Sequence, residues 1–125
     1  MQIELKKNIL SAIENFLMEL KMSGKVSRAR IKLSRAIGEA LQELQEDVQR
    51  VREECKDDDA EANKQIEELL QEKAVIDLTK YKALMNELYL YLDELDVEMD
   101  GKDGYIHDVL LDAFEENHTK LGDDE

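Results

Sequence analysis

The chain has 125 residues, 42% of them apolar and 38% charged, and its 17 basic against 31 acidic side chains leave a formal charge of −14. That length suits one domain with one core, because a chain of this size buries roughly two-thirds of the surface its unfolded form exposes. The charge opposes general affinity for DNA, RNA or anionic lipid. No apolar run approaches the ~20 residues that span a bilayer, the N-terminus lacks a signal-peptide pattern, and the one cysteine excludes an internal disulfide, all of which fits a reducing cytoplasm.

Residues 1–35 carry eight basic and three acidic side chains, net +5, whereas residues 36–125 carry nine and twenty-eight, net −19. The molecule therefore has two electrostatic ends. Proline is absent and there are only five glycines, so helix should dominate.

Ile3 and Leu5 alternate with Gln2, Glu4 and Lys6, which predicts a short half-buried strand over residues 2–6. Asn8 is placed to cap a first helix with the apolar stripe Ile9, Ile13, Phe16, Leu17 and Leu20, ending at Ser23-Gly24. The organising element comes next. Ile37, Leu41, Leu44, Val48, Val51 and Cys55 fall at steps of four and three, one apolar seam on a helix running from Ser27 to Cys55, roughly 43 Å long at 1.5 Å per residue. Ser27 is its expected cap, with Val26 stapled on Ile31. On that seam Cys55 reads as a buried, unreactive thiol.

Lys56-Asp57-Asp58-Asp59 reads as a turn, with Asp58 and Glu61 spaced as a capping box. A third helix carrying Ala62, Ile66, Leu69 and Leu70 then folds back as a hairpin; one uninterrupted helix to Glu72 is the alternative. Ala74, Val75, Ile76 and Leu78 form a β-prone run that can pair with the first strand. Thr79 is placed to cap a fourth helix faced by Tyr81, Leu84, Met85, Leu88, Leu92 and Leu95. Val97 and Met99 alternate with acids as a candidate third strand, and Asp103 opens a fifth helix bearing Ile106, Val109, Leu110, Ala113 and Phe114. The expected fold is mainly α with a minimal β element (α+β): four or five helices around one long helix, and a two- or three-stranded sheet from residues 2–6, 74–78 and 96–99. Residues 1–120 make a single helical domain and 121–125 a frayed acidic tail.

The stretch from Asp96 to Gly104 carries alternating acids with Gly101 at the sixth place of a calcium-loop register. The eighth place is Asp103 and the twelfth is His107, where a bidentate glutamate is needed, so a solvated turn is the better reading. His107 and His118 match no zinc spacing; His107 is expected to be exposed or at a boundary, making a local hydrogen bond. No nucleophile elbow, phosphate loop or dinucleotide fingerprint occurs, and no cofactor or catalytic residue is expected.

The cluster Lys25, Arg28, Arg30, Lys32 and Arg35 opposes the dipole at the start of the long helix, which calls for an anion nearby. Either the acidic second half of the chain supplies it, or these side chains and the free helix amides form an anion site. At the other pole, acids such as Glu67, Glu68, Glu72, Asp93 and Asp96 are candidates for an acidic face that occupies a basic groove on a partner; a plain solvated helical surface is the alternative.

The phrase Phe16-Leu17-Met18-Glu19-Leu20-Lys21-Met22-Ser23-Gly24-Lys25, followed by Ser27-Arg28-Ala29-Arg30-Ile31-Lys32-Leu33, resembles a family of small, acidic, uncharacterised proteins encoded by tailed phages and prophages of Gram-positive bacteria. The resemblance continues more loosely through Val75-Ile76-Asp77-Leu78 and the final acidic helix. It implies a non-enzymatic accessory protein acting in the host cell cytoplasm, with the Gly24 to Lys32 phrase as a binding region. The expected function is binding of a host or phage protein, inhibiting a host defence or nucleic-acid enzyme through the acidic face. The alternatives are assembly or homo-oligomerisation through the long helix and nucleic-acid binding by Arg28, Arg30, Lys32 and Arg35. The last is disfavoured because no aromatic residue for base stacking accompanies them.

Overall fold

A computed structural model of the protein describes the backbone of residues 1–122 and side chains through Glu116. In chain order the elements are β1 (Gln2–Lys6), α1 (Leu10–Glu19), α2 (Gly24–Glu54), α3 (Asp59–Gln71), β2 (Lys73–Asp77), α4 (Lys82–Asp93) and α5 (Gly101–Gly122), with 3-10 turns at Lys7–Ile9 and Thr79–Tyr81. The mainly α architecture with a minimal sheet is as the sequence predicts. β1 and β2 pair antiparallel, with Ile3 opposite Ile76 and Leu5 opposite Ala74. All four of these side chains are buried, while the alternate residues face solvent, the outcome that period-two alternation requires.

One contiguous core joins the inner face of that sheet to Leu10, Ile13, Phe16 and Leu17 of α1, Ala29, Leu33 and Ile37 of α2, Met85, Leu88 and Leu92 of α4, and Ile106, Leu110, Ala113 and Phe114 of α5. Burying each large side chain here contributes about 1.5–3 kcal/mol. α2 lies at the centre, against α1, α4, α3 and β2, and α5 closes the other side against β1, α1 and α4. Only the first half of α2 belongs to this core. From Leu44 onward the seam residues are not part of this core cluster, and α2 packs against α3. Leu44 and Ala62 are buried between the two helices, whereas Val48, Val51, Cys55, Ile66, Leu69 and Leu70 are half-buried. The hairpin reading of α2 and α3 is therefore the one the chain adopts, and it forms an arm beyond the core.

Several local expectations need correction. No third strand forms at residues 96–99: Val97 is 54% exposed, and the Asp100 carboxylate accepts the Asp103 amide at 2.8 Å, so the chain is already turning into α5. Asp100, rather than Asp103, caps that helix. Thr79 does not cap α4 either; its amide donates to Asp77 Oδ1 at 3.1 Å, an Asx turn that starts the 3-10 segment. Asn8 makes no capping bond, since that stretch is a 3-10 turn and α1 begins at Leu10. Asp58 does accept the Glu61 amide at 3.1 Å, half of the expected box; the Glu61 carboxylate instead accepts from Gln65. Of the tail expected at residues 121–125, Leu121 and Gly122 continue α5, and residues 123–125 lie outside the described residues.

α1 ends at Glu19 rather than at Ser23, and α2 starts at Gly24, so Ser27 lies inside the helix instead of capping it. Gly24 has φ +62°, the left-handed conformation in which a Cβ clashes with its own backbone, and beyond its chain neighbours nothing among the described residues stands within 4 Å of where that Cβ would lie. Gly38, by contrast, sits mid-helix, where a Cβ would meet only Glu14 Oε2 at 3.7 Å. Gly24→Ala is expected to cost ~1 kcal/mol through backbone strain alone. Gly38→Ala is expected to gain ~0.5–1 kcal/mol from helix propensity and a less flexible unfolded chain. Opposite shifts of the urea midpoint check the pair.

Candidate functional site

The basic cluster at the start of α2 divides once folded. Arg30 turns inward, and its guanidinium donates to the Leu17 carbonyl at 3.3 Å, to the Leu20 carbonyl and to Ser27 Oγ at 3.1 Å. The negative group that the cluster called for is thus, for Arg30, the C-terminal carbonyl pole of α1 and not the acidic half of the chain. Lys32 lies with Nζ 5.3 Å from the centre of the Tyr81 ring, a cation–π contact. Among the described residues no carboxylate oxygen comes within 4.0 Å of the charged nitrogens of Lys25, Arg28, Lys32 or Arg35. The cluster's charge is left largely uncompensated on the surface.

Lys32 and Arg35 do not stand alone. They and Glu39 form one wall of a cavity of about 290 Å³, whose other wall is Asp77, Lys80 and Tyr81 from the turn between β2 and α4. Sequence reading missed Lys80, which lies 45 residues from Arg35 with nothing local to connect the two. Only the return of β2 to the flank of α2 brings it there.

The acidic candidates separate into two groups. Glu68 on α3 and Glu72, the residue that follows its last turn, line an open cleft with Glu61, Lys64, Gln65 and the apolar Val51 and Leu69. Glu67 is exposed beside them. Glu72 also accepts from Lys7 Nζ at 3.2 Å, which ties the end of α3 to the turn after β1. Asp93 and Asp96 lie elsewhere, at the exposed end of α4, where the Tyr91 hydroxyl donates to the Lys21 carbonyl and Tyr91 shares a cleft with Val26. Val26 and Val51 are 25 residues apart on one helix, roughly 37 Å at 1.5 Å per residue. The five acids do not form one face.

Residues 43–72 carry twelve acidic and four basic side chains, net −8, so the arm concentrates the molecule's negative charge around a half-covered apolar seam. Cys55, expected buried, is only half-buried at the tip of α2. Partial burial pushes its thiol pKa up, and the charges of Glu61, Glu54 and Asp58 push it further in the same direction, so the thiolate is disfavoured. His107 makes a long-range bond instead of a local one: Nε2 lies 2.7 Å from the Leu92 carbonyl, with the ring 6.0 Å from that of Phe16. A carbonyl only accepts, so Nε2 carries the proton, and the residue serves to join α5 to the end of α4. The side chain of His118 lies outside those described.

Among the described residues no group of three or more histidine, cysteine or acidic side chains could hold a metal ion, and no helix is long and apolar enough to cross a membrane. Compared with family models, curated proteins and solved structures, the chain matches none.

Proposed function

We propose that this chain is a non-enzymatic protein-binding module whose contact element is the α2–α3 arm, and that its partner presents a basic surface with an apolar projection. The observation that carries this reading is the cleft on the arm, lined by the apolar Val51 and Leu69, by Glu61, Glu68 and Glu72 against the single cation Lys64, and by Gln65. A partner side chain placed on Val51 and Leu69 would finish covering a seam that α3 covers only in part, while the net charge of the arm steers association with basic surfaces and rejects acidic ones. Basic grooves of this kind occur on enzymes that handle nucleic acid, whose phosphates the carboxylates would imitate. Read with the resemblance to phage accessory proteins, this makes a host enzyme in the infected cell's cytoplasm the target class.

Self-assembly is the second reading, and the half-exposed seam residues Leu41, Val48, Val51 and Cys55 favour it. Side-by-side pairing of two arms would bring two clusters of net −8 together, which opposes it.

The test is capture of partners from host lysate on tagged protein after nuclease treatment, with wild type beside a Glu67→Lys/Glu68→Lys variant. Both glutamates are exposed, so the variant should keep its circular dichroism and melting temperature. A discrete partner is expected on the wild type. It should be lost from the variant and at about 1 M salt, where the Debye length is roughly 3 Å. A partner held equally by the variant would remove the arm from the interface, and recovery of the bait alone as a defined oligomer would replace this reading with self-assembly.

A further inference from the structure

The cavity between α2 and the turn before α4 is separate from the arm and differs from it in charge. Lys32, Arg35 and Lys80 converge on it from two elements, and no carboxylate among the described residues lies within 4.0 Å of their charged nitrogens. The carboxylates of Glu39 and Asp77 line the same cavity, and the Lys80 charge is felt at Asp77, but neither closes to an ion pair, and three cations directed at one space repel one another, a cost that a bound anion reduces. Besides the hydroxyls of Thr79 and Tyr81, which can donate or accept, the cavity holds two carboxylates, which accept. Asp77 Oδ1 is engaged by the Thr79 amide and hydroxyl, which leaves its second oxygen, and the Glu39 carboxylate has no partner among the described residues. The bonds from Thr79 hold the Asp77 carboxyl below its ordinary range, so at neutral pH it is an acceptor only.

We propose that this cavity binds a small phosphate monoester carrying hydroxyl groups, of pentose phosphate size, with the phosphate on Lys32, Arg35 and Lys80 and the hydroxyls donating to Glu39 and Asp77. Arg35 offers a planar fork for two phosphate oxygens, and the lysines act as point charges on either side. Bare phosphate satisfies the cations but stands against two carboxylates. A sugar satisfies the carboxylates and leaves the cations unpaired. A sugar phosphate satisfies both. The volume of about 290 Å³ lies at the lower end of small-ligand sites, and the Lys32 ammonium over the Tyr81 ring fixes the position of one cation before the ligand arrives.

Titration calorimetry at low ionic strength with ribose 5-phosphate, inorganic phosphate and ribose tests this. Ribose 5-phosphate is expected to bind at least about tenfold more tightly than either of the others. Lys32→Ala/Lys80→Ala should weaken both phosphate-bearing ligands by about tenfold or more. Glu39→Ala separates this site from a simple patch of positive charge: it should weaken ribose 5-phosphate while strengthening inorganic phosphate, because it removes a hydroxyl acceptor and a repelling charge together. Equal affinity for phosphate and sugar phosphate, no binding by the wild type, or a Glu39→Ala change of the same sign for both ligands would each overturn the proposal. The altered residues lie outside the buried core, and an unchanged urea midpoint confirms that the variants are folded.

Discussion

Ile37→Ala is expected to destabilise the protein by about 3–4 kcal/mol, and Val51→Ala, fourteen residues further along the same seam of the same helix, by ~1 kcal/mol or less. Ile37 is 0% exposed and packed in the core. Its truncation loses the transfer free energy of three carbons and leaves a space that the surrounding core holds open. Val51 is half-buried on the arm, where solvent already reaches part of the side chain and α3 can settle into the gap. Of a total stability of about 5–15 kcal/mol, the first variant removes a large fraction and the second very little. Urea unfolding at constant m value measures both. Hydrogen exchange should follow the same division, with amides of the core half of α2 opening only with the whole protein and those beyond Leu44 exchanging sooner. Equal costs at the two positions would mean that the arm is covered as completely as the core, and the case for a partner on its seam would fall.

That difference marks where the sequence ceases to be informative. Steps of four and three from Ile37 to Cys55 establish a helix and one apolar face, and both are present. They do not say what covers the face, because a seam against a core and a seam against a single acidic helix have the same spacing. The strands were legible to within a residue because period two admits one inward set, Ile3 and Leu5 against Ala74 and Ile76. Caps were less legible where several oxygens lay within reach of the same amides. Asp77 and Asp100, rather than Thr79 and Asp103, took the bonds because the chain turned two or three residues earlier than the hydrophobic pattern suggested. The acidic candidates looked alike in sequence, yet α2 holds Glu68 and Asp93 near its opposite ends. Of the basic cluster, Lys32 and Arg35 were visible as charge in need of an anion, while Lys80 depended on β2 returning the chain to α2.

Arg30→Met is the other substitution from which a large effect is expected, about 2–3 kcal/mol, and its cause lies in α1 rather than in α2. α1 ends in an extended residue, Leu20, with no αL turn to satisfy its last carbonyls. The guanidinium does so from another helix, bonding Leu17 and Leu20. Hydrogen bonds to a charged donor contribute about 1.5–3 kcal/mol each, and their loss leaves carbonyls in a partly buried place. Against this, Arg30 Nε is buried without a partner among the described residues, and methionine relieves that desolvation cost while keeping much of the stem's packing. The sum is therefore smaller than two charged bonds would give. Arg30→Lys, with one point donor in place of a fork, should fall between the two. Ser27 provides the internal check, since its hydroxyl accepts from the same guanidinium. Ser27→Ala should cost up to ~1 kcal/mol alone and close to nothing in the Arg30→Met background, a coupling that a double-mutant cycle reads directly. Additive costs would show instead that the serine acts on α2 by itself and that the arginine's role ends at the two carbonyls of α1.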